Sequence, residues 1–119
     1  MKKEPIFKES EIVELKRSTS ELKEGIISIV AILNKHQKGQ LYFGIRSDGE
    51  VIGQEVTDKT IRDVSKTIAD SIDPKIFPKI TQENIDGKDC ILVDFEGHDT
   101  PYLAYGKAYM RVADEDRQL

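Results

Sequence analysis

The sequence predicts an α+β domain, a mostly antiparallel sheet with two helices in the order β α β β α β β β. Three observations carry that expectation. Leu22, Ile26, Ile29, Val30 and Leu33, and later Ile61, Val64, Ile68 and Ile72, recur at helical spacing. Short apolar runs lie before, between and after these stretches, as strands do. Asp48-Gly49 and Asp86-Gly87 sit between such runs, where glycine tolerates the positive φ of a hairpin turn. At 119 residues and 38% apolar composition, one core and one domain over 1–119 are expected.

Residues 10–17 read as the first strand, with Val13 and Leu15 on one face and Glu14 and Lys16 on the other. Ser18-Thr-Ser-Glu21 fits a capping box, so an amphipathic helix over 19–35 follows and ends at a loop holding Gly39. The apolar run 40–45 predicts a strand buried on both faces, and 51–53 return from the turn as its hairpin partner. A second helix covers 57–72 and stops at Asp73-Pro74, because proline disfavours helix in the residue before it. Residues 78–85 and 89–95 form a second hairpin, and 108–112 a last strand. Asp114 to Leu119 resembles the start of a further helix, as in the N-terminal module of a longer protein.

Several functions are excluded early. No apolar run approaches the ~20 residues of a membrane span. Met1-Lys-Lys-Glu-Pro5 leads into no apolar segment, so no secretory signal is expected and the location is read as cytoplasmic. The single cysteine, Cys90, rules out an internal disulfide and a cysteine zinc finger, and His36 and His98 are too far apart in sequence to suggest a metal site. No Gly-x4-Gly-Lys-[Ser/Thr] occurs, so a P-loop is rejected. Cys90 lies in an apolar strand and reads as core rather than nucleophile. The pair His98-Asp99 has no activated nucleophile beside it. A net charge of −4 excludes an all-basic coat for nucleic acid. Residues 1–46, however, carry nine Lys/Arg against six Asp/Glu, leaving room for a local basic face.

Three constellations could carry chemistry. In Glu9-x4-Glu14-Leu-Lys16, carboxylates suited to a divalent cation accompany a lysine able to position an attacking water; a solvent-facing ion pair explains the same residues. In the loop Asn34–Gly39, Lys35, Lys38 and His36 could meet phosphates, or simply complement the helix dipole. Tyr102, Tyr105 and Tyr109 with Lys107 and Arg111 could stack bases, or pack half-buried at an edge or subunit interface.

Taken in order, Glu9-x4-Glu14-Leu-Lys16-Arg17-Ser18, Ile29–Asn34 with Gly39, Leu41–Ile45, Asp48–Gly53, Ile72-Asp73-Pro74, Pro101-Tyr102, Gly106 and Tyr109–Val112 carry a likeness. Across essentially the whole chain they resemble the Schlafen-type AlbA-like DNA-binding domain. The resemblance implies the fold above, the N-terminal module of a bacterial transcriptional regulator, and a nucleic-acid partner, with DNA favoured over RNA. It also implies pairing of two copies as a homodimer, and no membrane. In Schlafen ribonucleases two such lobes form a basic-lined saddle for RNA, with an acidic site that corresponds to Glu9, Glu14 and an acidic residue after the strand at 41–45.

This sequence has Arg46-Ser47 at that last place, and Gly39-Gln40 where Gly-Gly is usual. The leading expectation is therefore a binding module without a cofactor, contacting phosphates through Lys16, Arg17, Lys35, Lys38 and Arg46. The alternative is a Mg²⁺- or Mn²⁺-dependent nuclease using Glu9, Glu14 and Asp48, with Lys16 near the attacked phosphate and the turn shifted by one residue. A third reading is a dimerisation or effector-sensing module that buries Tyr102, Tyr105 and Tyr109 between subunits.

Overall fold

A computed structural model describes residues 7–119; the segment Met1–Pro5 read above for targeting lies outside the described residues. Ordered structure around the first helix begins with local hydrogen bonds. The Ser18 hydroxyl accepts the Ser20 N–H at 3.2 Å, and the Glu21 carboxylate accepts the Arg17 N–H at 3.0 Å. The expected capping residues are used, but Glu21 reaches back to Arg17 rather than Ser18. The result is a 3₁₀ turn, Thr19–Glu21, ahead of helix α1, Leu22–His36.

Helix α1 was expected to be amphipathic, yet Ile29, Val30, Ala31, Ile32 and Leu33 are buried in succession. A helix apolar on every side must be covered on every side. Two sheets do this, since α1 packs on strands of both. The first sheet has the order β1 (Val13–Lys16), β2 (Lys38–Phe43), β5 (Lys88–Glu96), β4 (Lys79–Ile85). Strands β1 and β2 run parallel, Val13 opposite Gln40 and Lys16 opposite Phe43, because α1 carries the chain back between them. The pairs β2–β5 and β4–β5 are antiparallel. The second sheet, antiparallel throughout, has the order β3 (Ile72–Asp73), β6 (Leu103–Ala104), β7 (Lys107–Val112), β8 (Glu115–Gln118). Helix α2, Asp58–Ser71, starts with a Thr57–Thr60 capping box and lays Val64 and Ile68 into the core. The α+β class and its two helices are as the sequence predicts, with the single sheet divided in two.

Three local expectations are corrected. Residues 51–53 form no strand. Both flanks of β2 are already paired, to β1 and β5, so after the turn only an Ile45–Val51 bridge forms. The Ile52 and Gly53 N–H groups then both bond to the Gly44 carbonyl, at 2.9 and 2.8 Å. Gly39 does not end α1. Gln37 does, at φ 64°, donating its N–H to the Leu33 carbonyl. Gly39 lies buried inside β2, where a Cβ would come within 2.7 Å of the Ile12 carbonyl and of Ile32 Cγ2. Residues 114–119 begin no helix. They fold back as β8, with Val112 opposite Glu115 and Tyr109 opposite Gln118, which pairs the edge of β7.

Candidate functional site

Arg111, on β7, is fully buried. Its Nη1 donates to Glu14 Oε2 at 2.8 Å and to Asp116 Oδ1 at 2.7 Å. Nη2 donates to the carbonyls of Ser10 at 2.7 Å and Val13 at 3.2 Å. Ser28 Oγ, from α1, lies 3.2 Å from Glu14 Oε2 and 2.5 Å from Asp116 Oδ2. The first strand and its lead-in, α1, β7 and β8 thus meet around one guanidinium, whose planar fork suits several acceptors at once. Burial draws Arg111 down, but its hydrogen bonds to Glu14 and Asp116 outweigh this and hold it above its ordinary range. Strand alternation placed Glu14 on an outer face. It is only 3% exposed, because β7 and β8 cover that face with Arg111.

Above this group opens a cleft of about 470 Å³, walled by Glu9, Glu14, Lys16, Arg17, Glu21, Arg46, Asp114 and Asp116, among others. Lys16 Nζ stands 4.0 Å from Glu14 Oε1. The Glu9 carboxyl is raised to about 7, first by partial burial and then by the charge of, and a hydrogen bond with, Glu14. Lys16 and Arg111 pull the other way and lose. Arg46 is exposed, and its ion contacts to Asp48 and Glu50 are long, 3.9 and 3.8 Å. A neighbouring groove of about 450 Å³ shares Lys16 and Asp116 and continues past Glu24, Ile27 and Arg117.

The structure brings Glu9, Glu14 and Lys16 together, as their spacing suggested. It joins to them Arg17 and Arg46. It does not bring Asp48, which is absent from the cleft wall and whose Oδ1 accepts the Glu50 N–H at 2.9 Å. The carboxylate that joins Glu14 on Arg111 is Asp116, which no local signal marks, since 114–119 has the pattern of a helix start. Among the described residues no group of three or more His, Cys, Asp or Glu is arranged to hold a metal ion. Glu14 and Asp116 turn oxygens toward Arg111 instead, so the residues present do not fit Mg²⁺ or Mn²⁺.

Lys35 and Lys38 lie elsewhere. Lys35 Nζ is 2.6 Å, and His36 Nε2 3.0 Å, from Glu11 Oε1, and these hydrogen bonds, Lys35 first, hold Glu11 below the usual carboxylate range. Lys38 opens β2, opposite Glu96. It stands five residues along β2 from Phe43, the partner of Lys16, about 16 Å away at ~3.3 Å per residue. The cations expected on one face therefore form two patches.

The tyrosines make no stacking platform. Tyr102 is 1% exposed, and its hydroxyl accepts the Asp99 N–H at 3.0 Å. Asn34 accepts the Tyr102 N–H at 2.7 Å and donates to the carbonyls of Tyr102 and Tyr109 at 3.0 and 2.9 Å. Tyr109 packs on the core, and Tyr105 is exposed with Lys23 Nζ 5.6 Å over its ring. Their interface reading fails for Tyr102, which the monomer itself buries. His98 pairs with Glu96 at 2.7 Å, and Cys90 is buried with its thiol pushed up by burial.

A helix enclosed by two small sheets, with an open charge-lined cleft where β1 meets β7 and β8, defines the class as a two-sheet α+β domain. The sequence matches the Schlafen, AlbA_2 family over residues 9–119, and the chain belongs to that family. No curated protein matches it. Among solved structures, a Corynebacterium diphtheriae protein superposes with a TM-score of 0.74 at 17% identity, covering 92% of this chain and 22% of that one. This chain thus spans about a fifth of that protein's length. The N-terminal domain of a RecG-related protein from Nitrosomonas europaea, named for an ATP-dependent DNA helicase, superposes at 0.63 with 21% identity, covering 94% of this chain and 84% of that one. Likenesses this distant in sequence are likenesses of fold.

Proposed function

We propose that this chain is a nucleic-acid-contacting module whose cleft holds the phosphate backbone through Lys16, Arg17 and Arg46. The observation that carries the reading is their convergence: the end of β1 and the turn after β2 deliver all three cations to one cleft. The cleft is mixed in charge rather than basic. Arg111 offsets one of the two charges of Glu14 and Asp116, Glu9 is partly protonated near neutrality, and Glu21 and Asp114 keep theirs, so the three cations act as individual phosphate contacts.

Lys35 and Lys38 form a second, outlying contact. Family membership, and the DNA-helicase relationship named for the Nitrosomonas domain, favour DNA as the partner; a place in a larger bacterial regulator and pairing as a dimer are carried over from the family resemblance alone. Phosphate contacts position a protein without reading sequence, so specificity comes from outside this cleft. Affinity is weak and strongly salt-dependent in a chain of net charge −4.

Filter retention of labelled duplex DNA, single-stranded DNA and tRNA tests the reading. Arg17→Ala with Arg46→Ala is expected to weaken retention by about tenfold or more, as for the loss of two charge-assisted contacts. Lys35→Glu with Lys38→Glu costs less. Full retention by the Arg17/Arg46 variant would reject the cleft, and loss confined to the Lys35/Lys38 variant would move the interface to the second patch.

A further inference from the structure

We infer that Arg111 is the fixed cation of this site, its guanidinium standing between the carboxylates of Glu14 and Asp116, so that the cleft meets phosphate without Mg²⁺ or Mn²⁺. A Mg²⁺ ion needs oxygens at about 2.0–2.1 Å in octahedral array. Here Glu14 Oε2 and Asp116 Oδ1 already accept Arg111 N–H groups at 2.8 and 2.7 Å, and the Ser28 hydroxyl, 2.5 Å from Asp116 Oδ2 and 3.2 Å from Glu14 Oε2, donates its one proton there. Both carboxylates are thereby turned inward.

Arginine cannot leave this position by losing its proton. Nor is it free to swing out. It is fully buried, and the Ser10 and Val13 carbonyls hold its other terminal nitrogen, Nη2. Displacing it would strand those buried acceptors together. Glu14 keeps only Oε1 free of Arg111, and that atom lies 3.3 Å from the Leu15 N–H and 4.0 Å from Lys16 Nζ. The carboxylates therefore act as positioning residues for Arg111 and Lys16. The nucleic-acid arm of the test rests on the proposed function; the metal arm does not.

The test is Mn²⁺ titration of the 119-residue chain, followed by electron paramagnetic resonance and thermal melting. The wild type is expected to bind no Mn²⁺ up to about 1 mM, the weak end of protein cation sites, and to melt at the same temperature with or without it. Retention of DNA should be equal in Mn²⁺ and in EDTA. Arg111→Lys, which keeps a cation, should stay insensitive to Mn²⁺. Arg111→Met leaves Glu9, Glu14 and Asp116 uncompensated, and should bind Mn²⁺ at least about tenfold more tightly than wild type or recover its fold when Mn²⁺ is added.

Stoichiometric Mn²⁺ binding by the wild type that disappears in Glu14→Gln would overturn the inference. So would a folded Arg111→Met protein that gains no Mn²⁺. If Arg111→Met folds under neither condition, the wild-type and Arg111→Lys titrations decide. Absence of DNA retention with no Mn²⁺ binding would reject the proposed function and the phosphate contact with it, and leave standing Arg111 as the cation that keeps a metal out.

Discussion

Glu14 and Arg111 are buried as a pair, and neither is tolerable there alone. Removing one charge of a buried pair leaves the other uncompensated, at a cost of about 3–5 kcal/mol. Arg111→Met should lower unfolding free energy by about that much in urea titrations. Adding Glu14→Gln should recover part of the loss, giving a double mutant more stable than the two single costs predict. Strict additivity would mean that the two groups are not coupled. Glu9 makes a different prediction. Its carboxyl sits at about 7 in the fold against 4.5 in the open chain, so between those values the folded state binds more protons than the unfolded one. Its contribution to stability is complete below about pH 4.5 and is lost as pH rises to about 7. Urea midpoints from pH 5 to 8 should fall less steeply for Glu9→Gln than for wild type; parallel profiles would contradict the assignment.

The elements show where local signals suffice. Helix α2 has one apolar stripe and one buried face, and its periodicity places it within a residue of 57–72. Helix α1 has the same periodicity with extra apolar residues between, Ala31 and Ile32, and only the second sheet explains them. Asn34 ties that sheet to α1 through hydrogen bonds to Tyr102 and Tyr109. Asn34→Ala should destabilise the domain by about 1–3 kcal/mol, and amide exchange should accelerate first in β6 and β7; uniform acceleration across both sheets would deny Asn34 that local role. The Asp86-Gly87 hairpin forms as written in the sequence because β4 and β5 have no other neighbour for the shared edge. Asp48-Gly49 makes its turn and no hairpin, because β5 has taken the place its return strand needed.

At the scale of the molecule, charge decides how the cleft behaves. Contacts from Lys16, Arg17 and Arg46 to duplex DNA should give a slope of about −2.7 for log K against log salt, near −0.9 per phosphate. Arg46→Ala should flatten it by about one, and an unchanged slope would remove Arg46 from the interface.

The α+β class, both helices, the long hairpin of β4 and β5, and the grouping of Glu9 with Glu14 and Lys16 are legible in the order of the residues. Each of these rests on periodicity or short spacing, which neighbouring residues settle among themselves. Packing alone places Arg111 and Asp116 beneath the cleft, keeps Asp48 out of it, and sets Lys35 and Lys38 apart from Lys16. Those facts depend on which strand edge is vacant and which buried charge needs a partner. Both are fixed by elements far apart in the chain, so they became visible only when β7 and β8 closed over the first strand.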